Sequence, residues 1–166
     1  MNATVVRVAT LEDVPDQVSA YLREHQLPAK IKIAPHESLK SLNWQAKTSL
    51  MVDEGRGAGD DGVSVSVAYG GVAETGTLVM SSGPQSPTSL NFLPLDHIVV
   101  LQAADIAGDY ETVWERIRNK AGPGKLPRTV NWITGPSRTA DIEQTLLLGA
   151  HGPQRLHILI VDQPGG

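Results

Sequence analysis

Hydrophobic and polar positions follow two different periods along the chain, and these periods predict its first elements. Apolar residues recur at helical spacing from Leu11 onwards and predict a helix from about Leu11 to His25. At its start, Thr10 and Asp13 resemble a capping box with Asp in place of Glu. The run Lys30–Ala34 alternates apolar and polar residues and predicts a half-exposed strand. These patterns predict a helix from about Leu11 to His25, followed by a strand at Lys30–Ala34.

The central part of the chain is predicted to be rich in strands. Thr48–Val52 indicates a short strand, and Val63–Val67 alternates cleanly. A bend at Tyr69–Gly71 leads into Val72–Met80, whose second half is apolar enough for a buried strand. Glu74 is unusual immediately before such a strand, which makes it a candidate for chemistry.

The C-terminal half alternates between strands and helices. The predicted elements, in order, are a strand at His97–Leu101, a helical stripe at Tyr110–Arg118, a strand at Thr129–Thr134, a helix at Thr139–Leu148 and a strand at Leu156–Val161. Apolar strands that alternate with helices predict an α/β fold with a mostly parallel sheet, covered on both faces in three α/β/α layers. Ligands of such sheets usually bind at the carboxyl ends of strands.

Composition narrows the class of protein. A chain of 166 residues with 40% hydrophobic and 19% charged residues fits one soluble globular domain. The net charge of −4 argues against nucleic-acid binding. The chain has no cysteine, which excludes disulfides and thiolate nucleophiles within it. Without a spanning apolar run or a signal-peptide pattern, we expect a cytoplasmic protein with no membrane span.

Two common kinds of site are not supported by the sequence. The glycines in Asp53–Gly62 lack the Gly-Lys-Ser/Thr ending of a phosphate loop, and the neighbouring acids would repel phosphate. The five histidines show no metal-ligand spacing, so we expect no metal site.

The stretch Trp132–Glu143 predicts an anion site. It reads as the end of a strand, a break at Gly135–Pro136, and a helix start capped by Ser137 or Thr139. Unpaired N–H groups at such a helix start, with the guanidinium of Arg138, suit a carboxylate or phosphate. The alternative is a well-capped strand–helix connection whose arginine faces water.

Glu74 and His151 are the candidate catalytic residues. A carboxylate beside a glycine turn can act as a general base, or as a nucleophile toward an acyl group. Alternatively, Glu74 caps the turn or pairs with Arg138. His151 lies in the tight loop Gly149–Pro153, where it can serve in acid–base catalysis or bond the backbone. Thr75 adds a hydroxyl donor near Glu74.

Three segments, taken together, resemble a known family. They are Ala73–Val79, Leu93–Val100, and Ile133–Glu143 with its continuation to Leu148–Pro153. In this order and spacing they resemble the LUD-domain family of lactate-utilisation proteins, the LutC/YkgG type. We therefore expect a single LUD-type domain over residues 1–166. Residues 63–162 form its core, and residues 1–62 are a weakly matching N-terminal part that is shorter than in the family.

The resemblance implies a fold like that of NagB, RpiA and the CoA transferases. It also implies a subunit of a system that oxidises L-lactate to pyruvate together with iron–sulfur partner subunits, so that any clusters lie in the partners and this chain holds no cofactor. The implied site binds a small carboxylate or acyl ligand. Its residues are the catalytic pair Glu74 and His151 and the substrate-binding set Thr75, Gly76, Gly135, Ser137 and Arg138.

Two alternatives to this role remain open. The first is a non-catalytic assembly or scaffold subunit for the iron–sulfur partner, whose surface would matter more than its cleft. The second, suggested by fold alone, is a CoA- or folate-type ligase relative, although the sequence has no ATP-binding signature.

Overall fold

The fold was followed in a computed structural model, which describes residues 3–45, 50–55, 62–81, 95–121, 130–133 and 153–163. The predicted helix Thr139–Leu148 and most of the glycine-containing segment Asp53–Gly62 lie outside these residues. The elements of the first third are β1 (Ala3–Thr10), α1 (Val14–Glu24), β2 (Lys30–Ile33), α2 (Glu37–Lys40) and β3 (Met51–Glu54). A 3-10 turn at Leu11–Asp13 joins β1 to α1.

Strands dominate the remainder of the described chain. These are β4 (Val63–Val67), β5 (Gly70–Val72), β6 (Thr77–Ser81), β7 (Asp96–Gln102), β8 (Ile106–Ala107), β9 (Val130–Ile133) and β10 (Arg155–Gln163), with helix α3 (Tyr110–Ala121) between β8 and β9. None of the described helices is both long and apolar enough to cross a membrane.

The strands among the described residues form two sheets. The larger has six strands in the order β1-β10-β7-β4-β2-β3, and every neighbouring pair is parallel. The smaller has four strands in the order β8-β5-β6-β9, with β6 antiparallel to both β5 and β9. The predicted α/β class and mostly parallel sheet are confirmed.

Helix α1 begins and ends where its sequence dictates. The backbone N–H of Thr10 donates to the Asp13 carboxylate at 3.2 Å, which is half of the predicted capping box. At the other end Gln26 adopts φ 55°, and the N–H of Leu27 returns to the carbonyl of Leu22 at 2.8 Å. This left-handed ending satisfies a carbonyl that would otherwise be unpaired.

The helices α1 and α2 cover one face of the parallel sheet. Val14, Val18 and Leu22 of α1 form one buried cluster with sheet residues such as Val65 and Leu159. Burial of this apolar stripe is the main stabilising contribution at that face, because each fully buried aliphatic side chain contributes about 1.5–3 kcal/mol.

Among the described elements, the second sheet covers the opposite face. Leu78 and Met80 of β6 pack with Val99 and Leu101 of β7. The alternate residue of β6, Val79, faces the other way and packs with Val113 and other apolar residues of α3. The smaller sheet is therefore buried between the parallel sheet and α3.

Three details differ from the sequence predictions. The strand near Thr129–Thr134 is β9, which joins the smaller sheet antiparallel to β6 rather than the parallel sheet. The strand predicted in the second half of Val72–Met80 is β6, but strand β5 begins within the predicted bend at Tyr69–Gly71, and a turn at 73–76 separates it from β6. The edge strand β1 was not predicted, since its short apolar run before the capping box was assigned no structure.

Candidate functional site

The candidate site is built on the hairpin between β5 and β6, called here the Glu74 hairpin (Ala73–Gly76). Two residues separate the carboxyl end of β4 from the start of β5, so the hairpin lies just beyond that edge of the parallel sheet in the chain. Gly70 allows the departure, because a Cβ there would lie 2.9 Å from the backbone oxygen of Asp105. Gly76 completes the turn at φ 64°, a left-handed conformation that favours glycine.

Backbone hydrogen bonds hold the first half of the hairpin. The N–H of Ala73 donates to the carbonyl of Ala107 at 2.8 Å, and the N–H of Glu74 donates to that of Gly108 at 3.3 Å. All four hairpin residues are exposed, including Glu74. Within the described part of the chain, the Glu74 carboxylate has no hydrogen bond or ion pair. The carboxylate of Glu74 is therefore exposed to solvent, while the backbone that carries it is held by hydrogen bonds.

Three hydroxyl groups meet beside Glu74, and they are called here the hydroxyl triad (Thr75, Thr77 and Tyr110). Thr75 Oγ1 lies 2.7 Å from Thr77 Oγ1 and 3.0 Å from the Tyr110 hydroxyl, and the Thr77 and Tyr110 oxygens are 3.2 Å apart. The pKa of Tyr110 is lowered, first by the hydrogen bond from Thr75 and then by that from Thr77, while the nearby Glu74 charge opposes this. The threonines thus stabilise the tyrosinate.

The start of α3 places Tyr110 at the triad. The Asp109 carboxylate accepts from the backbone N–H and the hydroxyl of Thr112, both at 2.8 Å. These bonds make Asp109 a helix cap, and they lower its pKa. Tyr110 follows as the first helical residue, with 37% of its surface exposed.

The structure describes three of the seven predicted site residues, and it places them together. Glu74, Thr75 and Gly76 are successive residues of the Glu74 hairpin. Gly135, Ser137, Arg138 and His151 lie outside the described residues. Strand β9, which precedes Gly135, Ser137 and Arg138 in the chain, is described. Its last residue, Ile133, pairs with Leu78, the residue after Thr77. The described carboxyl end of β9 therefore lies close to the hairpin.

Tyr110 is the residue of this region that the sequence did not single out. Its place in a helical stripe predicts packing, and its neighbours in that stripe, such as Val113 and Ile117, are indeed buried. The available signal was Asp109-x-x-Thr112, a cap pattern that predicts a helix start at Tyr110.

A second polar cluster lies at the opposite edge of the parallel sheet, and we call it the amino-edge network (Tyr21, His25, Asp96 and Arg155). The buried Asp96 carboxylate accepts from Arg155 Nε and from the Tyr21 hydroxyl, both at 2.6 Å, and from Arg155 Nη2 at 3.2 Å. Arg155 Nη1 lies 3.2 Å from His25 Nδ1. Burial, with the added effect of Asp96, raises the pKa of Tyr21. Every oxygen of Asp96 has a partner, as a structural cluster requires.

His97 and His157 are buried, as their positions in strands predict. Ser66 Oγ lies 2.6 Å from His97 Nε2, and burial lowers the pKa of His97 to about 3. No described group bonds His97 Nδ1. Nδ1 of His157 lies 2.5 Å from Thr4 Oγ1, and the His157 ring stacks on that of Tyr21. Burial lowers the pKa of His157 as well.

The described residues offer no group of three or more histidine or acidic side chains that would hold a metal ion. The arrangement at the Glu74 hairpin instead suits proton transfer and hydrogen bonding. It combines a carboxylate that can accept a proton with hydroxyls that can donate to an oxygen-rich ligand.

Comparison with known proteins defines the family. The model of the LUD domain matches residues 1–161, so this chain belongs to the LUD domain family. A solved relative, a DUF162 family protein from Deinococcus radiodurans, superposes with a TM-score of 0.68 over 96% of this chain and 88% of that one. At 18% identity this likeness shows the fold alone.

Several curated proteins are similar to this chain in sequence. Lactate utilization protein C of Shouchella clausii is 34% identical over 55% of this chain and 40% of its own length. Lactate utilization protein C 1 of Bacillus mycoides is 28% identical over 96% of this chain and 74% of its own length. The uncharacterized Escherichia coli protein YkgG is 35% identical over 60% of this chain and 44% of its own length. The match to the first of these thus spans about two fifths of that relative's length.

Proposed function

We propose that this protein is a lactate-utilisation subunit that works with iron–sulfur partner subunits in the oxidation of L-lactate to pyruvate. The names of its relatives support the pathway, and membership of the LUD domain family supports the shared architecture. The proposed ligand is a small carboxylate or acyl compound. Its site combines the Glu74 hairpin with Gly135, Ser137, Arg138 and His151.

The pairing of β6 with β9 is the observation that carries this site. Ile133, the last described residue of β9, lies opposite Leu78, the residue after Thr77. Antiparallel neighbours lie about 4.8 Å apart, so the described end of β9 is next to the strand that leaves the hairpin. In the proposal the residues that follow Ile133 in the chain, the run from Thr134 to Arg138, complete the site. The hairpin supplies a carboxylate and hydroxyls, and the run supplies a guanidinium that can bind a ligand carboxylate.

The chemistry of lactate oxidation assigns roles to these groups. Conversion of L-lactate to pyruvate removes two electrons and two protons. Clusters held by the partner subunits would supply the electron acceptor, while Glu74 and His151 are proposed as the residues of this chain that accept the two protons. Arg138 and Ser137 hold the lactate carboxylate, and this keeps the C2 hydroxyl near the hairpin.

The test is lactate-dependent dye reduction by the protein reconstituted with its iron–sulfur partners. We expect Glu74→Gln and Arg138→Ala each to reduce the rate at least about tenfold, since each removes a group that binds or reacts. Glu115→Gln is the matched control, because Glu115 is an exposed glutamate on α3. Full activity of both site variants in an intact complex would contradict a ligand site here and favour the assembly role.

A further inference from the structure

We propose that Tyr110 is a positioning residue, whose hydroxyl locks the Glu74 hairpin to helix α3 and thereby aims the Glu74 carboxylate. The lock itself is a property of the described structure. Its consequence for catalysis rests on the proposed function.

The hairpin needs such a lock because its two halves are held differently. Ala73 and Glu74 are fixed by their backbone N–H groups on the carbonyls of residues 107 and 108. Thr75 makes its described contacts through its side chain, to Thr77 and Tyr110. Glu74 therefore lies between a half held by backbone bonds and a half held by the hydroxyl triad.

The triad bridges elements that are distant in sequence. Tyr110 lies 35 residues after Thr75, and Asp109 fixes the helix end from which it projects. Three mutually close hydroxyls can form a closed ring in which each donates once and accepts once. Such a ring defines the direction of all three side chains at once. Loss of one hydroxyl releases the turn that carries Glu74.

The exposure of the Thr75–Tyr110 hydrogen bond separates this role from ordinary stabilisation, although Thr77 itself is only 2% exposed. Hydrogen bonds at a solvent-accessible site contribute little to global stability, because water replaces them when they break. A small displacement of a catalytic group can nevertheless cost up to about a hundredfold in rate. Tyr110→Phe should therefore leave thermal unfolding close to wild type while it mobilises the hairpin.

The first experiment uses the full chain without ligand, one matched pair of variants at Thr75 and a third variant at Tyr110. Thr75→Val removes a hydroxyl at nearly constant shape, and Thr75→Ser restores it. Tyr110→Phe removes only the phenolic oxygen. We expect amide hydrogen exchange of residues 74–77 to be about tenfold faster in Thr75→Val and Tyr110→Phe than in wild type, and unchanged in Thr75→Ser.

Ultraviolet titration of the phenols provides a signature that a merely structural role would not produce. The chain has three tyrosines. The pKa is raised in Tyr21 and Tyr69 and lowered in Tyr110, so Tyr110 should ionise first. Among the described residues, Glu74 on the hairpin is the charged group that acts on the Tyr110 hydroxyl, and Asp109 and Glu111 are its acidic neighbours in sequence. The first transition should be absent in Tyr110→Phe, move to higher pH in Thr75→Val, and stay in place in Thr75→Ser.

The second experiment measures kcat and KM for lactate in the reconstituted complex. We expect about a tenfold lower kcat with little change in KM for Tyr110→Phe and Thr75→Val, and rescue by Thr75→Ser. Unchanged exchange and an unchanged first phenol transition in Thr75→Val would overturn the lock. A confirmed lock in a complex whose wild type does not oxidise lactate would refute the proposed function and leave the lock standing.

Discussion

The two ends of the parallel sheet carry polar clusters of opposite character. At the amino ends of β7 and β10, Asp96 is 1% exposed, and its oxygens are saturated by Tyr21 and Arg155. Beyond the carboxyl end of β4, the Glu74 carboxylate is exposed on an anchored turn. A buried, fully paired charge fixes the packing of α1 on the sheet, whereas an exposed carboxylate on a rigid turn remains available to a ligand.

The comparison predicts its largest effect on stability at Asp96. Asp96→Asn should lower the free energy of unfolding by about 3 kcal/mol, because it leaves Arg155 and the Tyr21 hydroxyl with a poorer, neutral partner. Urea unfolding checks this value. The matched control is Asp162→Asn, which breaks the exposed ion pair between Asp162 of β10 and Arg7 of the neighbouring strand β1 and should cost less than about 1 kcal/mol. Equal losses in the two variants would refute a special role for the amino-edge network.

A smaller effect follows from the buried histidine. The pKa of His97 is about 3 in the folded chain, below its ordinary value of 6.5. Between these two values His97 is protonated in the unfolded chain but neutral in the folded chain. Stability is therefore present above about pH 6.5 and falls as the pH drops, by about 1 kcal/mol between pH 7 and pH 5.5. His36 and His157, whose pKa values are also lowered, add to the same trend. Urea unfolding across this range should show a weaker pH dependence in His97→Gln. An identical dependence would contradict the assignment.

The turn glycine should show an effect of similar or smaller size. Gly76→Ala places a side chain at φ 64°, although the surrounding space is open, so only backbone strain of about 1 kcal/mol is expected. Gly108→Ala is the control, since its Cβ also meets open space and no left-handed φ is required there. Thermal unfolding compares the two. If Gly108→Ala were the more destabilising variant, strain would not govern the turn.

Glu74 should matter least to stability. Glu74→Gln changes an exposed side chain, so the free energy of unfolding should stay within about 0.5 kcal/mol of wild type in urea unfolding. This small value contrasts with the large loss of lactate-dependent activity expected of the same variant. A loss of stability as large as that of Asp96→Asn would make Glu74 a structural residue and remove the contrast between the two edges.

Local patterns predicted the parts of the fold that local physics determines. The capping pair Thr10 and Asp13 located the start of α1, and strand alternation located β4 and the core of β10. Glu74 stood out because a carboxylate and a glycine turn adjoin each other in sequence. In each case the determining residues lie within one element, so the sequence displays the whole pattern.

Contacts between distant residues were not predictable in the same way. The strand β9 is short, and its composition does not say whether it joins a parallel or an antiparallel neighbour. Tyr110 meets Thr75 across 35 residues, and Arg155 meets Asp96 across 59. Such pairings depend on how helices and strands are placed in space, and single-sequence patterns do not carry that information.

The most direct test of the contrast is a titration of the isotopically labelled protein with L-lactate, followed by backbone amide chemical shifts. The account predicts saturable shifts concentrated at residues 73–77 and at Tyr110, reduced in Glu74→Gln and retained in Asp162→Asn. Shifts centred instead on Tyr21, Asp96 and Arg155, or the absence of any shift at lactate concentrations well above the millimolar range, would contradict it.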